Sequence, residues 1–218
     1  MTWVLGNLAL IRDLLLEHLG FALPPIVLGL VLAVPLGWLA SRTRTGRTLT
    51  INVAGLLYTI PSLALFVLLP PLLGTRILDP VNVVAALTVY TVALLVRTVA
   101  DALSAVPQVV VNAATAMGYA PLRRFVAVEL PLSVPVVVAG LRVAAVSNIS
   151  LVTVGAVIGF GGLGKMFTDG FQRGIPQEIV AGIVLVLLLA LVVDGLILLL
   201  GRVLTPWDRV AANRGGRS

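Results

Sequence analysis

Five stretches of predominantly apolar residues constrain this chain more than any other feature of its sequence. They lie at roughly 21–41, 50–73, 82–104, 134–158 and 178–201. A helix needs about 20 apolar residues to cross the hydrocarbon core of a bilayer, so each stretch is long enough to span a membrane. Only 11% of the residues are charged, which is too few to cover a water-soluble domain of this size. We therefore predict an all-α, polytopic membrane protein with about five transmembrane helices.

The distribution of cationic side chains predicts the orientation of these helices. If five spans alternate across the membrane, four cations lie on the side of the N-terminus and nine lie on the other side. The nine are Arg42, Arg44, Arg47, Arg123, Arg124, Arg202, Arg209, Arg214 and Arg217. Cytoplasmic loops carry an excess of lysine and arginine, which predicts an external N-terminus and a cytoplasmic C-terminus in a cell membrane. The bilayer thus explains the net charge of +6 without a nucleic-acid partner.

Three segments follow from this topology. Residues 1–20 combine apolar residues at helical spacing with charged ones, which predicts an amphipathic segment on the outer membrane surface, with His18 as a surface residue. Residues 21–204 form the transmembrane domain, and residues 205–218 form a basic cytoplasmic tail. Prolines predict breaks or kinks within the first two spans, at Pro24, Pro25, Pro35 and Pro61.

Residues 105–133 form the only long hydrophilic segment on the predicted cytoplasmic side. A run of small residues ends at Gly118, which suits a helix C-terminus, and Pro121 suits the first turn of a second helix. The segment is therefore predicted to form a helix, a turn and a second helix. Around the turn, apolar residues lie beside two arginines, a composition typical of a docking surface: Tyr119, Leu122, Arg123, Arg124 and Phe125. On composition alone, a loop lying against lipid headgroups is an equally good interpretation.

The spacing within this segment resembles the cytoplasmic motif of permease subunits of ABC importers. That motif reads Glu-Ala-Ala, three residues, Gly, nine residues, Ile, one residue and Leu-Pro. At the same spacing this chain has Asn112, Ala113-Ala114, Gly118, Val128 and Leu130-Pro131. Asparagine thus replaces the glutamate, and valine replaces the isoleucine. Two further segments, at 60–65 and 158–164, are similar to permeases for glycine betaine, carnitine, choline and related osmoprotectants.

The resemblance, which runs from about His18 to Asp208, implies a type I importer permease with residues 105–133 as its coupling loop. The implied ATPase-docking residues are Asn112, Ala113, Ala114, Gly118, Tyr119, Leu122, Arg123, Arg124 and Phe125. The implied partners are ABC ATPase subunits, a second permease subunit, identical or different, and an extracytoplasmic substrate-binding protein. The implied substrates are quaternary amines such as glycine betaine, choline and carnitine, with another small amine or an amino acid as the alternative.

The residues that catalytic sites use are scarce. The chain has no cysteine and a single histidine, which excludes thiolate metal sites and a multi-histidine metal site. No Gly-x-x-x-x-Gly-Lys-Ser/Thr loop occurs, so ATP hydrolysis is assigned to a partner chain. The glycines at 159–164 lack the strand and helix of a dinucleotide site, and we interpret them as a turn that closes the fourth span. We predict a transport subunit without a cofactor rather than an enzyme; a secondary transporter is a less favoured alternative.

Three charged residues fall inside the predicted spans, at Arg97, Arg142 and Asp194. Charged groups are costly in hydrocarbon unless they are paired or face water. At about 1.5 Å per residue, each lies roughly 10–12 Å from the cytoplasmic end of its span, so contact between them is possible. We favour an ion pair that locks helices together, with Arg97 and Asp194 as the pair to test and Asp101 as a competing partner of Arg97. A polar lining of a translocation path is the alternative.

Overall fold

The structure is a computed structural model that describes residues 2–207. Within that range the regular structure is entirely helical. In chain order the α-helices are α1 (Thr2–Gly6), α2 (Leu8–Ser41), α3 (Arg44–Thr59), α4 (Ser62–Leu73), α5 (Pro80–Ser104), α6 (Gln108–Ala116), α7 (Pro121–Arg124), α8 (Leu130–Gly155), α9 (Lys165–Arg173) and α10 (Pro176–Leu204). A π-helical turn (Phe125–Glu129) precedes α8, and a 3₁₀ turn (Ala156–Ile158) follows it. Most of the predicted basic tail, including Arg209, Arg214 and Arg217, lies outside the described residues.

Four helical segments among the described residues are long and apolar enough to cross a membrane. Three are α2, α5 and α10, and the fourth is the continuous segment Pro121–Ile158 that contains α8. A fifth span is present if α3 and α4 are counted together. These helices confirm the prediction of an all-α, polytopic membrane protein with about five spans.

Pro61 divides the second predicted span into two helices. The axes of α3 and α4 differ by 102°, and the break falls at Ile60 and Pro61, both in extended conformations. The hydroxyl of Tyr90 on α5 donates a hydrogen bond to the carbonyl of Ile60, which satisfies a backbone acceptor at the break. The break predicted from Pro61 is therefore confirmed. By contrast, α2 continues through its three prolines at positions 24, 25 and 35.

Helix α2 begins at Leu8 and continues into the first predicted span, so residues 8–41 form one helix. His18 lies in this helix and is 0% exposed, so the prediction of a surface histidine is wrong. Its Nε2 atom lies 3.0 Å from the carbonyl of Ile149, and its Nδ1 atom accepts a hydrogen bond from the backbone N–H of Leu163. The imidazole therefore joins α2 to α8 and to the segment that follows α8.

Helix α5 lies at the centre of the bundle, where small residues let its neighbours approach closely. A Cβ atom at Gly29 or Gly37 of α2 would lie 2.2 Å from Thr91 or 2.6 Å from Val99 of α5. On another face, a Cβ atom at Gly140 of α8 would lie 2.4 Å from Thr98. Such distances are shorter than any normal van der Waals contact, so glycine is required for this packing. The bundle thus fixes α5 between α2 and α8.

Candidate functional site

The segment predicted to couple the chain to a partner forms a helix, a turn and a second helix. Helix α6 ends at Ala116, and Gly118 follows with φ of +84°, a conformation that side chains other than glycine rarely adopt. The N–H of Gly118 donates to the carbonyl of Thr115, and the N–H of Tyr119 donates to that of Ala114. Pro121 then begins α7. Both local signals in the sequence, the glycine and the proline, thus have the structural roles predicted for them.

The outer surface of this turn contains most of the residues that the motif resemblance singles out. Seven of the nine are at least partly exposed: Asn112, Ala113, Gly118, Tyr119, Leu122, Arg123 and Arg124. Met117, which the sequence reasoning missed, is 70% exposed beside Gly118 and adds an apolar side chain to the same tip. In the sequence, its position directly before the turn glycine Gly118 indicates that it lies at the tip of the turn. We call the exposed residues from Asn112 to Arg124 the coupling tip.

Two of the predicted docking residues, Ala114 and Phe125, are buried within the chain itself. The Phe125 ring stacks on Trp38 of α2 at a centroid distance of 4.8 Å, and the guanidinium of Arg42 lies 5.0 Å from the centre of the Trp38 ring. The expectation that Phe125 lies on the exposed turn is therefore wrong. Instead its side chain anchors the turn to the end of α2, which is a positioning role.

Arg124 holds the two halves of the coupling segment together. Its Nη1 atom donates to Thr115 on α6 at 2.7 Å, and its Nε atom donates to Glu129 in the π-helical turn at 2.5 Å. The Arg123 guanidinium lies 5.1 Å from the centre of the Tyr119 ring, on the exposed side. Since α7, the π-helical turn and α8 are continuous, the backbone and the ion pair of Arg124 with Glu129 connect the coupling tip to a segment long enough to span a membrane.

The three charges inside the spans do not form the pair expected from the sequence. Asp194 on α10 binds Arg142 on α8 through two hydrogen bonds, at 2.8 and 2.7 Å. Arg97 on α5 lies 3.9 Å from Asp101, one turn further along the same helix, and Asp101 also accepts a hydrogen bond from Arg47. The prediction of an Arg97–Asp194 pair is therefore wrong, although pairing of these charges across helices is present. Arg97 misses Asp194 because its side of α5 faces a groove beside α3, whereas α10 packs on α8.

The glycine-rich segment at 159–164 is a turn that closes the end of α8 against α2. Gly159 and Gly162 have φ of +93° and +78°. The N–H of Gly162 donates to the Glu17 carboxylate at 2.9 Å, and the neighbouring N–H of Leu163 donates to His18 at 3.2 Å. The interpretation of this segment as a turn is confirmed, and its partners are side chains from the start of the chain.

Residues 25–206 match a protein family described as the binding-protein-dependent transport system inner membrane component. The osmoprotectant import permease protein OsmW of Salmonella typhimurium is 35% identical over 94% of this chain and 96% of its own length. The choline transport system permease protein OpuBB of Bacillus subtilis is 33% identical over 87% of this chain and 86% of its own length. A permease and binding protein for ergothioneine from Helicobacter pylori is 34% identical over 76% of this chain but only 29% of its own length.

The fold is also similar to that of a solved transporter. An inward-facing structure of the MetNI methionine ABC transporter aligns with a TM-score of 0.80, covering 92% of this chain and 98% of that chain at 24% identity. This likeness concerns the fold, whereas the family match covers most of the sequence. The chain is therefore a member of the family of binding-protein-dependent transport system inner membrane components, and it is a transport subunit rather than an enzyme.

Proposed function

We propose that this chain is the permease subunit of an ATP-driven importer for small quaternary ammonium osmoprotectants such as glycine betaine, choline or carnitine. The names of several relatives support this substrate class, including the glycine betaine/carnitine/choline permease OpuCB of Bacillus subtilis, which is 32% identical over 87% of this chain. An extracytoplasmic binding protein delivers the solute, and a second permease chain, identical or different, completes the path. Alternating access of the two permease chains carries the solute inward.

The coupling tip is the part of the chain on which an ATPase docks. The observation that carries this proposal is the two-sided structure of the turn. Met117 and Leu122 are exposed on its surface, while Phe125 stacks on Trp38 and Arg124 binds Glu129 on its buried side. Exposed apolar side chains with arginines at the rim are the usual anchors of protein interfaces. A rigid attachment to α2 and α8 is what force transmission requires.

Arg97, Arg142 and Asp194 have different roles in this proposal. The pair of Arg142 and Asp194 holds α8 and α10 together, because each group satisfies the charge of the other inside the membrane domain. Arg97 is a polar residue of the path, since its guanidinium is largely exposed and its one ion pair among the described residues is long.

The test of the substrate class is uptake in cells that lack their own osmoprotectant importers. Cells that express this chain with its ATPase and binding protein should accumulate labelled glycine betaine, choline or carnitine only while ATP is available. Uptake driven by a proton gradient without the ATPase would instead support a secondary transporter. Uptake of an amino acid without any quaternary amine would support the alternative substrate class.

The test of the docking surface is co-purification of the ATPase with permease variants. Met117→Ser and Leu122→Ser together should lower ATPase recovery and ATP-driven uptake, because they remove the apolar anchors without touching the buried side of the turn. A matched control is Leu72→Ser, which changes a leucine of similar exposure at the end of α4. Normal recovery with the double variant would contradict the docking role.

A further inference from the structure

The outward surfaces of the spans differ strongly in chemistry. Along residues 23–39 of α2 and 180–200 of α10 the exposed side chains are aliphatic, such as Val31, Leu187 and Leu191, which suits contact with lipid. A groove between α3 and α5 is different, because a tyrosine ring and a guanidinium, those of Tyr58 and Arg97, lie among the small and aliphatic residues that line it: Ile51, Ala54, Gly55, Ala93 and Leu94. An exposed guanidinium on a spanning helix is costly in hydrocarbon, so this face borders water or a partner rather than lipid.

Tyr58 lines this groove, and Tyr90 lies behind it. Their rings meet edge to face at a centroid distance of 5.7 Å. Tyr90 is buried, and its hydroxyl is occupied by the carbonyl of Ile60 at the break between α3 and α4. Tyr58 is 44% exposed. The buried ring therefore holds the exposed one in a fixed orientation toward the groove. Tyr90 lies about 15 Å from the N-terminal end of α5 and about 21 Å from its C-terminal end, counted by the rise per residue.

Arg97 lies at one end of the same groove. It follows Tyr90 by seven residues on α5, which places both on one face of the helix at a separation of about 10 Å along the axis. Its side chain is 68% exposed, and Asp101, its ion-pair partner at 3.9 Å, also accepts a hydrogen bond from Arg47. Most of the N–H donors of this guanidinium are therefore available to an anion in the groove.

We infer that this groove is a transient contact site for the transported solute, with its methylated ammonium against the Tyr58 ring and its carboxylate, where it has one, on Arg97. This inference rests on the proposed function. A ring face attracts a quaternary ammonium through cation–π interaction, and a guanidinium binds a carboxylate through paired hydrogen bonds. One exposed ring gives weaker binding than an enclosed aromatic cage, and weak binding is what a site inside a transport path needs for release.

The tyrosine is tested in proteoliposomes that contain the complete importer, with uptake and ATP hydrolysis measured together. Tyr58→Leu should lower the uptake of both glycine betaine and choline by roughly 3- to 30-fold, while the loaded binding protein still stimulates ATP hydrolysis. Tyr58→Phe should retain uptake because the ring remains. Leu56→Ala, an exposed position two residues away on α3, controls for insertion and folding.

The arginine is tested by the selectivity between the same two solutes. Arg97→Gln should lower the uptake of glycine betaine, which has a carboxylate, by about 10-fold or more, and that of choline, which has none, by less than about 2-fold. Arg97→Lys should retain part of the preference. A merely structural role of Arg97 would reduce both solutes equally, and that result would overturn the assignment of Arg97.

The outcomes separate the site from the function. If the wild-type importer transports both solutes and Tyr58→Leu leaves uptake unchanged, the solute site is overturned and the proposed function stands. A wild-type importer that transports no quaternary amine under ATP overturns the proposed function and the site with it. Three results together establish the site. Uptake is lost with Tyr58→Leu, it is retained with Tyr58→Phe, and Arg97→Gln lowers the uptake of glycine betaine but not that of choline.

Discussion

Arg142 and Asp194 form a two-point ion pair between α8 and α10, with Nε–Oδ1 and Nη2–Oδ2 distances of 2.8 and 2.7 Å. The parallel geometry matches the planar guanidinium to the carboxylate, which is the strongest arrangement for such a pair. The residues are separated by 52 positions in the chain. This pair therefore fixes the position of α10 relative to α8, the helix that follows the coupling segment.

Removal of one partner should reduce the amount of folded protein in the membrane. Asp194→Asn leaves the Arg142 guanidinium without its counter-charge, and an unpaired charge among spanning helices is strongly unfavourable. The yield of monodisperse protein after extraction should fall for Asp194→Asn and recover in part when the two residues are exchanged. Arg97→Gln, at an exposed guanidinium, should leave this yield unchanged. An exchange variant no better than Asp194→Asn would contradict the pairing.

The orientation in the membrane is a prediction from nine cations against four, and the absence of native cysteines makes it easy to test. Single cysteines at Ala120, in the exposed coupling turn, and at Phe171, which is 81% exposed on α9, are accessible positions. In intact cells an impermeant thiol reagent should label only the cysteine at 171, because the arginine-rich side faces the cytoplasm. Labelling at position 120 from outside would reverse the topology.

The stability of the end of the bundle opposite the coupling segment should depend on His18. Replacing it by alanine removes a partner of both the Ile149 carbonyl and the Leu163 N–H. A buried polar group left without a partner, here the N–H of Leu163, costs about 1–3 kcal/mol, so His18→Ala should lower the midpoint of thermal unfolding in detergent. Leu16→Ala, at an exposed position of the same helix, should have little effect. Equal midpoints for the two variants would show that these hydrogen bonds contribute nothing to stability.

Features encoded by neighbouring residues were predictable from the sequence, and features that depend on distant contacts were not. The turn at Gly118 and Pro121 follows from the backbone restrictions of these two residues, and the break between α3 and α4 follows from those of Pro61. The turn and the break both have the predicted structure. The burial of His18 depends on carbonyl and N–H groups 131 and 145 residues away. No local pattern contains that information.

The choice of ion-pair partners shows the same limit. Depth along a span was enough to predict that contact among Arg97, Arg142 and Asp194 is possible, but the choice of partner depends on how each helix is rotated about its axis. Likewise, Phe125 is of a residue type common at exposed interfaces, and it is buried because Trp38 of α2 and apolar residues of α5 and α8 pack around it. The rotation of a helix about its axis and the helices that pack beside it are set by the whole bundle. The order of residues within one helix does not determine them.

The conformation of Gly118 permits a matched test of the coupling tip. A Cβ atom at this position would meet no atom within 4 Å, and the same holds for Gly74, which ends α4 with φ of +68°. An aspartate at either position therefore introduces similar backbone strain, about 1–2 kcal/mol, without a clash inside the chain. Only Gly118→Asp places a charged side chain on the coupling tip. It should abolish ATP-driven uptake and lower ATPase recovery while insertion in the membrane is normal.

Gly74→Asp should leave ATPase recovery unchanged, because position 74 belongs to the opposite side of the membrane in the predicted topology.

Asn112→Ala should have a mild effect, since the Asn112 side-chain oxygen only accepts a hydrogen bond from Gln108 within α6 and no ionic group is lost. Gly118→Asn separates strain from charge, because asparagine tolerates positive φ better than most residues. If Gly118→Asp and Gly74→Asp reduce uptake equally while both recover the ATPase normally, backbone strain explains the loss and the coupling tip does not dock the ATPase.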